Sequence, residues 1–328
     1  MQEKLKIIFM GTPDFAALHL EKLIDADEFY DIKAVYTQPD KAKGRSKKIL
    51  PTPVKEVALQ RGLPVIQVAN FKDAHAISIL KEFNADIFCI VAYGLILNTE
   101  VLSIPKYGAI NIHASILPKY RGASPIQYTL LNGDEQGGVT SFLLDSGIDT
   151  GPVLIKREVT VSIDDNFDSL SEKLSVAGRD CLIDTLDKVR KSNLQFRGTV
   201  QAEYDLPYTK KIRKDMAYLD FSRSSFMLHN QIRALSRWPV CCLDINVGGS
   251  YKTIKVYKTS FLDKCDCCKA RKPGEIGFND KKVLHVKTGR GCLLLKDIQV
   301  VGKKRISIDS FLNGYRVDVG TFVISKKD

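Results

Sequence analysis

The sequence predicts an α/β protein: a Rossmann-like, mostly parallel sheet with helices on both faces, followed by a small β-barrel domain. Two observations predict it. Up to about residue 190, apolar strand-like runs alternate with segments of helical periodicity, the pattern of strands buried on both faces. Beyond residue 208, short strand-like runs follow one another between glycine turns. A third observation separates the two halves by charge. Residues 1–208 carry 24 Lys and Arg against 27 Asp and Glu, whereas residues 209–328 carry 25 against 11, so the formal charge of +11 belongs to the second part.

Taken in order, KIIFMG (6–11) reads as a buried strand, and PDFAALHLEKLID follows with helical spacing. DIKAVYTQ, LPVIQ, ADIFCIVAY and GAINIHAS are further strands, with TPVKEVALQRG and FKDAHAISILKEFN as helices between them. GTPD (11–14) occupies the first strand-to-helix turn. It lacks GxGxxG, so it is no dinucleotide fingerprint, and a structural turn is favoured over direct ligand contact. VTSFLLDSGIDTGPVLIKREVTV reads as a hairpin with an acidic, glycine-punctuated loop, and FDSLSEKLSVAGRDCLIDTLDKV as a long helix. The pattern then lapses. These boundaries divide the chain into a domain over 1–190, a linker over 191–208 and a domain over 209–328. In the last domain a short helix precedes the strands, and Phe226 and Trp238 read as packing residues.

Composition excludes several classes. With 328 residues, 44% hydrophobic and 27% charged, the chain reads as an ordinary folded protein with no apolar run of membrane-spanning length. MQEKLKIIFMG runs into a strand rather than a removable leader, so a cytoplasmic home and no membrane partner are expected. Nothing points to an assembly element, and a monomer is expected. Cys89 and Cys181 sit in apolar runs as buried thiols. Cys265, Cys267 and Cys268 cluster without a fourth ligand or a paired CxxC, so no metal is expected.

In NIHAS, an extended chain puts Asn111 and His113 on one strand face and Ile112 on the other. An ordinary polar strand end would look the same. Asp149, in the DSGIDTGP loop, is the carboxylate that would complete a set. An amide, an imidazole and a carboxylate suit acyl transfer to an amine: the amide donates to an oxygen gaining charge, and the imidazole and carboxylate handle protons. Ser115 lies two residues beyond His113, but no elbow motif presents it as a nucleophile.

IFMGTPDFA, QPDKAKGRSKK, IVAYGLIL, NIHASILPKYRGASPIQ and DSGIDTGPVL occur in that order. The set resembles the folate-dependent formyltransferases over nearly the whole chain, specifically the branch acting on methionyl initiator tRNA. The resemblance implies 10-formyltetrahydrofolate as donor, methionyl initiator tRNA as acceptor, and Asn111, His113 and Asp149 as catalytic residues. It implies folate contact at Ser115, Ile116, Leu117 and Pro118, where Ile116 departs from the usual leucine. The segment Ile90, Val91, Ala92, Tyr93, Gly94 and Leu95 would border the pterin pocket. It likens the barrel to the family's OB-like domain, in which Arg237 and Val240 replace the usual proline and glycine.

For tRNA, the cations Lys41, Lys43, Arg45, Lys47 and Lys48 stand on what reads as a flexible loop, with Arg45 at the family's key arginine. Lys210, Lys211, Arg213 and Lys214 near the linker, with Lys303, Lys304 and Arg305 later, are the candidate contacts of the basic domain. Lys119 and Arg121 are secondary candidates. The rival activity is a nucleotide-sugar N-formyltransferase, which would share the catalytic set without needing the basic insertion or the basic domain. An RNA-binding module is the non-enzymatic rival, to which the catalytic set would be superfluous.

Overall fold

The computed structural model describes residues 3–43, 48–192, 196–202, 208–264, 270–278 and 283–325. They form two compact units. The first comprises residues 1–125, 136–160 and 171–209, and the second residues 126–135, 161–170 and 210–328.

In the first unit, β1 (Leu5–Gly11) leads into α1 (Asp14–Ile24), then β2 (Tyr30–Thr37) and a two-stranded ribbon of β3 (Lys41–Lys43) with β4 (Lys48–Leu50). After it come α2 (Pro53–Gln60), β5 (Val65–Gln67), α3 (Ala74–Glu82) and β6 (Ile87–Val91). Thr52 and Asp73 start α2 and α3 by accepting from the amides of Lys55 and His75, satisfying donors that a helix start leaves orphaned. A short helix, α4 (Thr99–Leu102), precedes β7 (Ala109–His113). Between α5 (Pro125–Leu131), which past Pro125 belongs to the second unit, and the long α6 (Phe167–Lys191), whose start up to Leu170 also does, lies the hairpin of β8 (Gln136–Leu143) and β9 (Val153–Thr160).

The strands assemble as β5-β2-β1-β6-β7-β8-β9, parallel through β7 and antiparallel from β7 onward, with helices on both faces. Ile7, Ile8, Phe9 and Met10 of β1 are wholly buried, as a central strand covered on both sides requires. The chain moves outward from β1 to β2 and β5, then returns to β6 on the other side. This reversal makes the ends of β1 and β6 the topological switch point, beyond which doubly wound sheets place ligands.

In the second unit, α7 (Ser225–Ala234) precedes β10 (Cys242–Val247), β11 (Ser250–Leu262), β12 (Ile276–Phe278), β13 (Leu284–Lys287), β14 (Cys292–Val300) and β15 (Arg305–Ser307), with α8 (Ile308–Gly314) after them. The strands curl into a six-stranded antiparallel half-barrel, ordered β10-β11-β14-β13-β12 with β15 also on β14. The expected strand TFVISK makes isolated bridges instead. Ile324 pairs with Asp244 of β10, and Phe322 with Glu275 beside β12, so residues 320–324 join both edges of the sheet. Buried polar groups of α7 hold a distant segment in the same unit: His229 Nε2 donates to the Ile163 carbonyl, and Arg233 donates to the carbonyls of Ser162 and Asp165. Phe226 packs on Phe261, but Trp238, also expected to pack, is 55% exposed. No helix among the described residues is long and apolar enough to cross a membrane.

Candidate active site

Asn111 and His113 sit on β7 between Ile90 of β6 and the antiparallel β8, facing the same side because strand side chains alternate. Ile112 points oppositely, toward Gly178 of α6. Among the described residues the Asn111 side-chain amide has no hydrogen-bond partner. His113 is 6% exposed, and its Nε2 lies 2.9 Å from the Tyr120 carbonyl. A carbonyl only accepts, so Nε2 carries a proton and the neutral ring keeps its lone pair on Nδ1. Nδ1 lies 3.6 Å from Asp149 Oδ2. The three polar groups thus converge, although β8 ends beside Ile110, at the far end of β7. The loop after β8 must run back about 10 Å, three residues of strand rise, to bring Asp149 to His113.

Three consecutive residues of the turn after β7 hold this arrangement. The Tyr120 carbonyl takes the His113 proton, and the Gly122 amide donates to Asp149 Oδ2 at 2.7 Å. Arg121, between them, donates through Nε and Nη2 to Gln201 Oε1 at 2.9 and 2.7 Å. Two of the five Arg121 donors are therefore engaged within the protein. Gly122 adopts φ +103°, and a Cβ there would meet the Thr209 carbonyl at 2.6 Å. Only glycine fits. Tyr120, Ser124 and Asp149, with Ala92 after β6, all have left-handed backbones. Such residues cost on the order of 1 kcal/mol each and persist where surrounding bonds fix them.

The proposed folate segments line up beside these groups by topology. Ile90 and Val91 are buried at the end of β6, and the chain then turns through Ala92, buried Tyr93, Gly94 and half-buried Leu95. The Tyr93 carbonyl receives both Thr12 Oγ1 and Gln38 Nε2 at 2.9 Å, and a Cβ on Gly11 would strike Ala16. GTPD is thus a structural turn bracing the 90–95 loop. Two large apolar side chains, Ile96 and Ile148, stand 94% and 62% exposed on the loops carrying Leu95 and Asp149. Ser115 is buried and donates to the Lys119 carbonyl at 2.6 Å, which removes it as a nucleophile. Thr140 fixes the same loop, donating to the Ser115 carbonyl and accepting from the Leu117 amide. Leu117 is buried, Ile116 packs over Gly138, and Pro118 remains half-buried.

Lys41 and the cationic candidates of the second unit are at the surface. Lys41 is exposed and donates to Gln38 Oε1, the backbones of Lys43 and Lys48 pair in the ribbon, and Arg45 and Lys47 lie outside the described residues. The flanks of the expected flexible loop are therefore an antiparallel ribbon. Lys210, Lys211 and Lys214 are exposed. Arg213 makes a bidentate pair with Asp215, whose carboxylate raises the guanidinium's pKa through hydrogen bonding. Lys303 donates to Tyr315 Oη at 2.9 Å, Arg305 pairs with Asp297 while lying over the Tyr257 ring, and Lys304 is exposed. Exposed pairs of this kind are weak and exchange readily for another anion. Cys265, Cys267 and Cys268 fall outside the described residues. Cys89 and Cys181 are buried and free. Burial raises both thiols' pKa, so neither is a poised nucleophile.

Residues 4–186 match the formyl transferase family model, and residues 211–316 match the formyl transferase C-terminal domain model. The chain belongs to the formyltransferase family. This formyltransferase is 39% identical over 318 residues to the methionyl-tRNA formyltransferase of Agathobacter rectalis, covering 97% of this chain and 99% of the relative. It is 38% identical to the methionyl-tRNA formyltransferase of Alkaliphilus metalliredigens, covering 97% and 98% respectively. In three dimensions it is similar to the N-formyltransferase of Helicobacter canadensis, solved with folinic acid and dTDP-3-aminofucose. That match has a TM-score of 0.62 at 18% identity over 92% of this chain and 100% of the other. At such identity the formyltransferase fold alone is shared.

Two pieces of this site were not found from sequence: the carbonyl and amide contacts of Tyr120 and Gly122, and Gln201. The dense turn chemistry of KYRG signalled the first. The patternless run around Gln201 signalled nothing.

Proposed function

We propose that this formyltransferase transfers the formyl group of 10-formyltetrahydrofolate to the free amino group of methionyl initiator tRNA, giving N-formylmethionyl-tRNA and tetrahydrofolate for translation initiation. The observation that carries this is similarity at 37–39% identity, along 96–97% of this chain, to relatives named for that reaction. The site supports it chemically.

The donor supplies a formyl carbon activated by its bond to N10. Asn111, whose amide is uncommitted, donates to the formyl oxygen as negative charge builds there. His113 Nδ1 accepts a proton, and the Asp149 carboxylate stabilises the resulting imidazolium. The amine nitrogen gains the bond to the formyl carbon as the bond from that carbon to N10 breaks, and the proton lost by the amine is balanced by one gained at N10. Ser115 to Pro118 and Ile90 to Leu95 wall the folate site, with Ile96 and Ile148 offering apolar surface to its ring system.

In this reading residues 1–190 form the catalytic domain, 191–208 a linker, and 209–328 an OB-like domain that holds tRNA. Lys41, Lys43, Arg45, Lys47 and Lys48 steer the acceptor end. Lys210, Lys211, Arg213, Lys214, Lys303, Lys304 and Arg305 supply phosphate contacts. A reaction on initiator tRNA belongs in the cytoplasm. The test combines the purified protein with 10-formyltetrahydrofolate and, in parallel, methionyl initiator tRNA, methionyl elongator tRNA and an amino-sugar nucleotide. Preferential formylation of the initiator is expected, and preference for the sugar would reverse the assignment.

A further inference from the structure

We infer that Gln201 is a positioning residue for formyl transfer, acting by holding the Asp149 loop at His113. The inference rests on the reading of Asp149 as a member of the proton-handling pair.

The orientation of the Gln201 amide is set by its partners. Arg121 can only donate, and it places two N–H groups on one end of the amide, so that end is Oε1. The opposite end therefore carries the NH2 group, which lies 2.8 Å from the Asp149 carbonyl and 2.7 Å from the Gly151 carbonyl. Two hydrogens meet two acceptors. One side chain thus satisfies both sides of the turn at residues 149–151 and saturates its own hydrogen-bonding capacity.

This closes a ring of bonds. From Arg121 the path runs through Gln201 to the main chain of Asp149, then through the Asp149 carboxylate to the Gly122 amide, which adjoins Arg121. The Asp149 backbone is left-handed, with φ +53°, a conformation an aspartate holds only when its surroundings fix it. One backbone pairing anchors the chain beside Gln201, and another anchors Arg121. Thr199 exchanges hydrogen bonds with Val153 at 2.7 and 2.8 Å, two residues before Gln201 and at the foot of the Asp149 loop. Thr209 donates to the Arg121 carbonyl through both its amide and its hydroxyl. None of these groups touches the reacting atoms, so Gln201 acts on the reaction only through where it puts Asp149.

The test compares Gln201→Ala and Gln201→Glu with the unaltered protein and with Asp149→Ala, in methionyl initiator tRNA formylation. Gln201→Glu keeps an acceptor for Arg121 while losing both donations. Both variants should lower kcat by about 10-fold to 100-fold with KM for tRNA unchanged, in line with the penalty of misplacing a catalytic group. In the Asp149→Ala background, Gln201→Ala should cost nothing further. An unchanged kcat in both Gln201 variants, with Asp149→Ala inactive, would overturn the inference and leave the catalytic reading standing. Equal losses from Gln201→Ala with and without Asp149 would also overturn it. Full activity in Asp149→Ala would instead remove the catalytic reading on which it rests. If Gln201→Ala fails to fold by circular dichroism, Gln201→Glu alone decides.

Discussion

The two units hold their proposed functional groups in different ways. In the first, Asn111, His113 and Asp149 come from one strand and one loop, and the last two are fixed by bonds to Tyr120, Gly122 and Gln201. In the second, Lys303, Lys304 and Arg305 stand in solvent with exchangeable partners. Chemistry on a formyl carbon needs atoms held within a fraction of an ångström, whereas phosphate attraction needs only charge within reach. Backbone strain is distributed accordingly. Among the described residues of the first unit, the left-handed non-glycine residues are Asn84 after α3 and four on the site loops, Ala92, Tyr120, Ser124 and Asp149. Val240, in the second, has the same conformation far along the chain from any proposed contact.

The largest expected effect tests the fixed site. Asn111→Ala should lower kcat by about 10²–10³-fold with the dissociation constant for tRNA unchanged. Single-turnover formylation beside filter binding measures both. An undiminished rate would place the oxyanion donor elsewhere.

The next concerns the core beneath that site. His19 is fully buried, its Nδ1 donates to the Phe15 carbonyl, and its Nε2 has no partner. Burial, partly offset by that hydrogen bond, lowers its pKa from 6.5 to about 4. Because the folded pKa is the lower one, the unfolded chain binds the proton first. Stability is fully present above pH 6.5 and is lost as pH falls toward 4, by up to about 3 kcal/mol. Urea unfolding at several pH values should show that slope, and His19→Leu should flatten it. An identical slope in the variant would assign the loss to other groups.

On the exposed side, replacing Lys303, Lys304 and Arg305 together by Ala should weaken tRNA binding about tenfold or more. The slope of log affinity against log salt should fall by about one per lost phosphate contact, with kcat at saturating tRNA preserved. A slope equal to that of the unaltered protein would remove this cluster from the interface.

The smallest effect separates idle strain from functional strain. Val240 is β-branched with φ +67°. Val240→Gly should lower Tm by a few degrees without changing kcat, because loss of the buried side chain outweighs the roughly 1–2 kcal/mol of backbone strain released. A higher Tm would mean that the strain exceeds what the buried side chain contributes.

Much of the first unit was legible because alternation of period two and helical spacing are local signals. Asn111 and His113 followed from that same alternation. Asp149 did not follow from spacing, because β8 ends at the wrong end of β7 and only the returning loop brings the carboxylate back. It was a candidate from its acidic, glycine-punctuated loop, and resemblance made it specific. Gln201 was illegible: its importance lies in three partners 50 to 80 residues away, and nothing local marks a glutamine in an irregular run. Trp238 was misjudged because a large apolar ring carries no local sign of which way it faces.

Residues 320–324, which bridge Asp244 on one side and Glu275 on the other, also set a timetable. At roughly 5–20 residues per second, a ribosome that has placed Asp244 needs several seconds more to deliver Ile324. Until then both borders of the half-barrel are open to pairing with any extended chain nearby. The second unit is therefore most vulnerable to misassembly during its own synthesis, and slower elongation over its last strands would lengthen that exposure.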